Sequence, residues 1–354
     1  MAGIFAVVLT FNRRDLLKSC LDAIRIQTVA VSHILVIDNG GSDNSTSMLQ
    51  SDYPDVDVCR LAENTGAAGG FNLATRLAVA SGADHIWLMD DDVIPEPQAL
   101  EQLLAARDEL HEQGFAPPFV LSLARAPNGM LTNVPDIDRT RNALDYANWP
   151  LQLGRGLAPV RRATFVSILI PKRVFDDHGY PLGSMFIWGE DSEFTLRVTR
   201  EQPGYLVARS EVTHVRAQPG MLDIRREPPG PRLAWFRFLE RNTIYWMLTH
   251  QSRRAAMRHA RGRLYHALRL TARGKVGKAT ILCRGIVAGF FFRPDEARFS
   301  RSFDQTGIEF LSDDLRSRLT VATGAGPAPH SAEHPPEHPP AIMAEPSNVL
   351  QIGR

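Results

Sequence analysis

The chain has 354 residues, 44% hydrophobic and 22% charged, with a formal net charge of +1. That length suits one large α/β domain or two smaller ones with ample apolar content for a core, and the near-neutral balance gives no whole-chain argument for nucleic acid. Three cysteines (Cys20, Cys59 and Cys283) without CxxC spacing argue against a disulfide framework and fit a reducing compartment.

The opening, MAGIFAVVLTFNRRDLL, has a short apolar run followed by its basic residues and no small-residue cleavage site, so it does not read as a secretory leader. No stretch reaches the ~20 apolar residues of a spanning helix. A cytoplasmic location is therefore the expectation.

The run 4–9 is continuously apolar and partly β-branched, the pattern of a buried parallel strand. Leu17, Leu21 and Ile24 recur at helical spacing within 14–27. Residues 33–37 predict a second strand, ended by Asp38-Asn39-Gly40-Gly41, and 42–50 a short helix capped by Ser42 or Asp43. A third strand over 56–61, a helix over 71–81, a fourth strand over 85–89 and a helix over 97–112 follow. This alternation over the first ~115 residues predicts an α/β fold with a parallel sheet. From 116 to 230 the rhythm weakens, with a strand-like run at 164–170; from 231 to about 293 the pattern is helical, aromatic first and then basic. After residue 323 the composition turns to Pro, Ala, His and Glu, and HSAEHPPEHPPA predicts a disordered tail.

Five motifs carry chemistry. Asp90-Asp91-Asp92 follows a predicted strand, at the end where open α/β sheets bind ligands. Three adjacent acids repel one another, and Mn²⁺ or Mg²⁺ would offset that while bridging to a diphosphate; a solvated acidic turn is the plainer alternative. Asp38, ahead of two glycines, can accept from a base N–H or a ribose hydroxyl, or simply order a loop. The turn from Asn64 to Asn72 is rich in small residues that let backbone N–H groups approach a ligand, but it matches neither GxGxxG nor a Walker motif. Trp188-Gly189-Glu190-Asp191-Ser192-Glu193 precedes a helical run. One of its carboxylates can serve as general base, Trp188 can stack on a sugar face, and helix capping alone would account for Glu193. His214, 23 residues after Asp191, suits a third metal ligand, although a lone histidine is more often structural.

In the order VVLTFNR, IDNGGSDNS, NTGAAGGFN, LMDDDV, WGEDSEF and the later histidine, these motifs resemble glycosyltransferase family 2, over residues 4 to 216. FIWGEDSEF looks most like the bacterial galactofuranosyltransferases, with rhamnosyltransferases close behind. The resemblance implies a GT-A nucleotide-sugar transferase fold, a Rossmann-like, mostly parallel sheet flanked by helices. It implies roles as well. Thr10, Asn12 and Arg13 would line the nucleotide pocket with Asp38 on the base and ribose, and Asn64 and Gly70 would border the donor. Asp90, with Asp91 beside it, and Asp92 would flank the diphosphate, and Asp90, Asp92 and His214 would hold Mn²⁺ or Mg²⁺. Asp191 would be the base and Glu190 would bind hydroxyls. Because the segment before the base is one residue longer than the family's Trp-Asp-Asp-Ala-Glu, these two can exchange roles.

The implied divisions are a nucleotide-sugar-binding half (1–115), an acceptor-binding and catalytic half (116–230), a basic and aromatic helical segment (231–300), an extension (301–323) and the tail (324–354). The implied activity is inverting transfer of galactofuranose from UDP-galactofuranose to a lipid-linked or cell-surface glycan, or of rhamnose from dTDP-rhamnose. A sugar nucleotidyltransferase would need a Gly-rich basic loop where this chain has TFNRRD, and a non-catalytic glycan- or membrane-binding module would not need the full set of acids. Between Glu240 and Asp295 there is no acid but many bases interleaved with apolar residues, which suits peripheral contact with anionic lipid on the inner face of the cytoplasmic membrane, or a basic solvated face.

Overall fold

The opening apolar run forms β1 (Ile4–Thr10), with every residue buried. Ile4, Ala6 and Val8 pack into one apolar layer, and Phe5, Val7 and Leu9 into the other. A strand covered by helices on both faces needs such continuous hydrophobicity, and each fully buried large side chain contributes roughly 1.5–3 kcal/mol. The structure is a computed structural model and describes residues 3–216, 220–297, 299, 301, 303 and 307–323. β1 lies parallel to β2 (His33–Asp38) and β4 (His85–Asp90), and β2 parallel to β3 (Asp57–Leu61). Between them run α1 (Arg14–Arg25), α2 (Ser45–Asp52) and α3 (Gly66–Ala80). After β4 come a short β5 (Val93–Pro95) and α4 (Ala99–Glu112).

The α/β class read from the sequence is thus the observed one, but the whole sheet is mixed rather than mostly parallel. Beyond α4 the strands are β6 (Val120–Arg125), β7 (Asp136–Ile137), β8 (Leu157–Arg162), β9 (Ile168–Pro171) and β10 (Gly204–His214). β9 runs antiparallel to both β4 and β6, and β8 antiparallel to β10. A parallel neighbour requires a long crossover; β8 and β9 are reached by connections without one. The helices α5 (Lys172–His178) and α6 (Glu190–Val198) lie between β9 and β10.

Two helix starts differ from the sequence reading. α2 begins at Ser45 after a left-handed Asn44, so neither Ser42 nor Asp43 is its cap residue; Asp43 accepts from Ser45 Oγ at 2.6 Å. α3 begins at Gly66, so the small residues lie in its first turns. A Cβ on Gly70 would sit 2.4 Å from Leu9 Cδ1, and this close approach of α3 to β1 explains why glycine occupies a helix interior.

The helical pattern after 231 resolves into α7 (Pro231–His250), α8 (Arg253–Thr271) and α9 (Val276–Phe291), packed on one another around Phe236, Leu270 and Leu282. Glu240, the last acid before the basic run, is buried and accepts from Arg263 Nε at 2.7 Å, tying α7 to α8. In the extension, β11 (Ile308–Phe310) pairs with the β3 edge and α10 (Asp313–Thr323) follows, its Arg318 paired with Asp57. No helix among the described residues is long and apolar enough to cross a membrane. The tail expected to be disordered lies outside the described residues.

Candidate active site

The C-terminal ends of β1 and β4 open into a cleft of about 730 Å³, closed on the far side by the start of α6 and by α7. Thr10, Arg13, Asn64, Asp90, Asp91, Asp92, Trp188, Glu190, Asp191 and His214 all line it, although the two acidic motifs lie about a hundred residues apart in sequence. Asn12, Asp38 and Gly70 are not among the lining residues. Asn12 accepts from Ser42 N at 2.6 Å. Asp38 accepts from Gly41 N and from Thr46 Oγ1, both at 2.7 Å, so its carboxylate orders the β2–α2 loop. Gly70 is occupied in the helix–strand contact already described.

The three adjacent aspartates divide their work. Asp91 accepts from Thr10 Oγ1 at 2.8 Å and Arg13 at 3.1 Å, which fastens the end of β1 to the end of β4 rather than offering the carboxylate to a ligand. Burial pushes its pKa up to about 6. Asp90 faces the cleft, and burial with the Asp92 and Asp91 charges raises its pKa well above the usual carboxylate value. Burial opposes ionisation of Asp92 as well, but His214 and Arg13 outweigh it and hold its pKa below the ordinary value.

His214 reaches Asp92 because β10 outlasts its pairing with β8 and turns to β5, placing His214 opposite Val93; Val215 N then donates to Asp92 O at 2.8 Å. His214 Nε2 lies 3.0 Å from Asp92 Oδ1, and Nδ1 lies 2.9 Å from Asn133 Oδ1. Asn133 Nδ2 donates to Thr164 Oγ1 at 3.3 Å, which turns its carbonyl oxygen toward the imidazole. The Nε2 edge of the imidazole therefore faces Asp92 Oδ1, a buried oxygen. One imidazole nitrogen and one carboxylate oxygen sharing a space is a donor set that fits a divalent cation completed by phosphate oxygens. Asp90 does not complete it: among the described residues no three His, Cys, Asp or Glu side chains gather as a metal cage.

Across the cleft, Glu190 and Asp191 occupy the first turn of α6, where the helix dipole favours acids. Burial, then the Asp191 and Asp90 charges, push Glu190 well above its ordinary pKa, and its Oε2 has no hydrogen-bond partner. Asp191 is raised by burial too, but Ser192 N, donating at 2.5 Å, and the charge of Arg162 counter the rise. Glu193 points the other way. Fully buried, it binds Arg197 and accepts from His250 Nε2 at 3.1 Å, joining α6 to α7. Trp188 packs edge-on against Phe236 and Trp235, with the Arg232 guanidinium 5.4 Å above its ring.

Several lining residues carried no signal in the sequence. Arg162, Asn133 and Trp246 are brought in by tertiary packing, with Arg162 over the Trp246 ring at 5.6 Å. Asn39, inside a motif that drew attention to Asp38, accepts from Thr65 N at 3.0 Å and donates to Gly66 O at 3.0 Å, joining the end of β2 to the start of α3.

An α/β sheet whose strand ends open on an acid-lined cleft, faced by a second pair of acids, has the layout of a GT-A nucleotide-sugar transferase. Residues 5–140 match the family model described as Glycosyl transferase family 2. The chain is similar to galactofuranosyltransferase GlfT1 of Mycobacterium tuberculosis, 30% identical over 210 residues, 56% of this chain and 65% of that protein. GlfT1 of Mycolicibacterium smegmatis is 34% identical over 118 residues, 33% of this chain and 39% of that protein. The chain thus spans less than two thirds of these relatives. Among solved structures, that of GalNAc-T7 with UDP, GalNAc and Mn²⁺ aligns with a TM-score of 0.50 at 13% identity, over 70% of this chain and 50% of that one. At that identity the likeness concerns the fold alone.

Proposed function

We propose that this protein is an inverting glycosyltransferase that moves galactofuranose from UDP-galactofuranose to a hydroxyl of a lipid-linked or cell-surface glycan. The observation that carries the reading is the juxtaposition, in one cleft, of the strand-end acids Asp90 and Asp92 with the helix-start acids Glu190 and Asp191. One set suits a nucleotide diphosphate, the other an acceptor hydroxyl. The similarity to galactofuranosyltransferases supports the choice of sugar.

In this reading Asp191 takes the proton from the acceptor hydroxyl as that oxygen attacks the anomeric carbon opposite the departing diphosphate, which inverts configuration without a covalent glycosyl-enzyme. Burial and the Asp191 and Asp90 charges raise the Glu190 pKa well above its ordinary value, whereas Ser192 N and Arg162 counter the rise at Asp191, which favours Asp191 for the proton transfer. Arg13 keeps Asp92 ionised, and Asp92 with His214 would hold a divalent cation. When bound, such an ion supplies positive charge against the leaving diphosphate.

Access to a lipid-linked acceptor suits the outward face of α8. Met257, Leu264, Tyr265 and Leu268 are 59%, 44%, 63% and 69% exposed there, among the exposed Arg254, Arg258, Arg261 and Arg269. Apolar side chains among exposed bases fit the interface of an anionic bilayer, which supports a peripheral position on the cytoplasmic membrane.

The test is a panel of nucleotide sugars that includes UDP-galactofuranose and dTDP-rhamnose, incubated with Mn²⁺ and a short glycan acceptor, reading release of UDP or dTDP and the anomeric configuration of the product. Turnover of UDP-galactofuranose with inversion is expected. Turnover of dTDP-rhamnose alone would change the donor, and no acceptor-dependent turnover of any donor would sink the proposal.

A further inference from the structure

The segment that delivers Glu190 and Asp191 to the cleft is bent in a way its own residues disfavour. Phe186 and Trp188 have φ of +66° and +59°, and Gly189 has φ of +128°. Left-handed backbone at two bulky aromatics persists only where the surroundings over-determine it.

The surroundings converge on one side chain. Asn242, in the middle of α7, is wholly buried, and its Nδ2 donates to Met185 O at 3.0 Å, Ile187 O at 3.1 Å and Trp188 O at 3.0 Å. Two N–H bonds shared among three carbonyls curl the backbone around the amide. Arg241 Nε donates to Asn242 Oδ1 at 2.9 Å and so fixes which way the amide faces, while its NH2 donates to Met185 O at 2.8 Å. Gly189 touches the same residue: a Cβ there would lie 2.8 Å from Asn242 Cβ. On the loop's other side Phe186 O accepts from Ala68 N at 2.9 Å, and Glu296 accepts from Ser184 Oγ at 2.7 Å. Asn242 is not among the residues that line the cleft.

We infer that Asn242 is a positioning residue: it holds the Phe186–Gly189 loop in its left-handed course and thereby aims Asp191 and Glu190 at the cleft. The inference rests on the reading of Asp191 as base. Removal of the amide takes the shared donor from the Ile187 and Trp188 carbonyls, while Met185 O keeps Arg241, and the loop relaxes toward extended backbone. Because α7 also packs against α8 and α9, the aim of the catalytic acids depends on the docking of the whole helical unit.

The experiment compares Asn242→Ala, Asn242→Ser, which keeps one donor, and Asp191→Asn with wild type. It reads amide hydrogen exchange by mass spectrometry and separates kcat from the donor KM. For Asn242→Ala, exchange should rise in 183–192 while β1 stays protected, and kcat should fall about 100-fold, the scale of a 1 Å misplacement of a catalytic group. The donor KM should change by no more than about threefold, because the acids read as flanking the diphosphate, Asp90 and Asp92, lie at the end of β4 and not on this loop. Asn242→Ser should fall between, and it carries the test if the alanine variant does not fold. Normal kcat in Asn242→Ala beside an inactive Asp191→Asn overturns the inference and leaves the base assignment standing. Near-normal turnover in Asp191→Asn removes the assignment, and the inference with it. Exchange that rises equally in β1 and the loop makes Asn242 a general stability residue and overturns its positioning role.

Discussion

Glu193 separates two accounts of the acidic segment. As a helix-start acid it would contribute 0.3–1 kcal/mol, roughly the scale of a dipole interaction. In the structure it is 2% exposed, bound to Arg197 at 3.0 Å and to His250 at 3.1 Å, and so clamps α6 to the end of α7. Glu193→Gln keeps the shape and removes the charge. Arg197 retains Tyr180 O at 2.9 Å and His178 O, but loses its buried counter-ion. Breaking one side of a buried ion pair costs about 3–5 kcal/mol, and the retained carbonyl contacts place this case near the lower end. Urea unfolding of both proteins at pH 7 measures it; a loss under about 1 kcal/mol would refute the tether and return Glu193 to capping. Burial opposes ionisation of Glu193, but His250 and Arg197 hold its folded pKa below the ordinary glutamate value. A depressed carboxylate pKa contributes stability above the unfolded value and loses it as pH falls through the folded one. The gap between wild type and Glu193→Gln should therefore narrow as pH drops below 4.5.

Asp191→Asn should lower turnover at least ~100-fold with donor affinity largely retained, measured by UDP release; a near-normal Asp191→Asn beside an inactive Glu190→Gln would move the base to Glu190. Chelation should abolish transfer and Mn²⁺ restore it, and Asp92→Ala should weaken Mn²⁺ binding followed by electron paramagnetic resonance; full activity in excess chelator rules out the cation at Asp92 and His214. The protein should co-sediment with anionic but not neutral liposomes and be released at 1 M salt, where the Debye length is about 3 Å. Replacing Arg258, Arg261 and Arg269 with Gln should reduce that binding without lowering transfer to a short soluble acceptor. Equal binding to both vesicle types would leave α8 as a basic solvated face.

Much of the fold's first half was legible because its information is local. The continuous apolar run of β1 and the helical spacing of α1 each report burial within a few neighbouring residues. Asp90 to Asp92 declared themselves for the same reason, as adjacent acids at a strand's end. Asp38 was legible as a carboxylate beside glycines, but its partners Gly41 N and Thr46 Oγ1, which show it ordering its own loop, were not. The antiparallel half of the sheet was hidden because pairing direction depends on which strand lies next door, and the spacing of side chains along a strand does not encode that.

The sequence by itself determined the local chemistry: which residues are acids, which runs are buried, and where strands hand over to loops. Tertiary structure alone decided which of those acids meet. His214 reaches Asp92 across 122 residues because β5 and β10 pair, Asn133 turns its imidazole, and Asn242 holds a loop more than fifty residues earlier in the chain. Each is a contact between side chains or strands distant in sequence, set by the packing of the assembled sheet and helices. No window of neighbouring residues contains both partners.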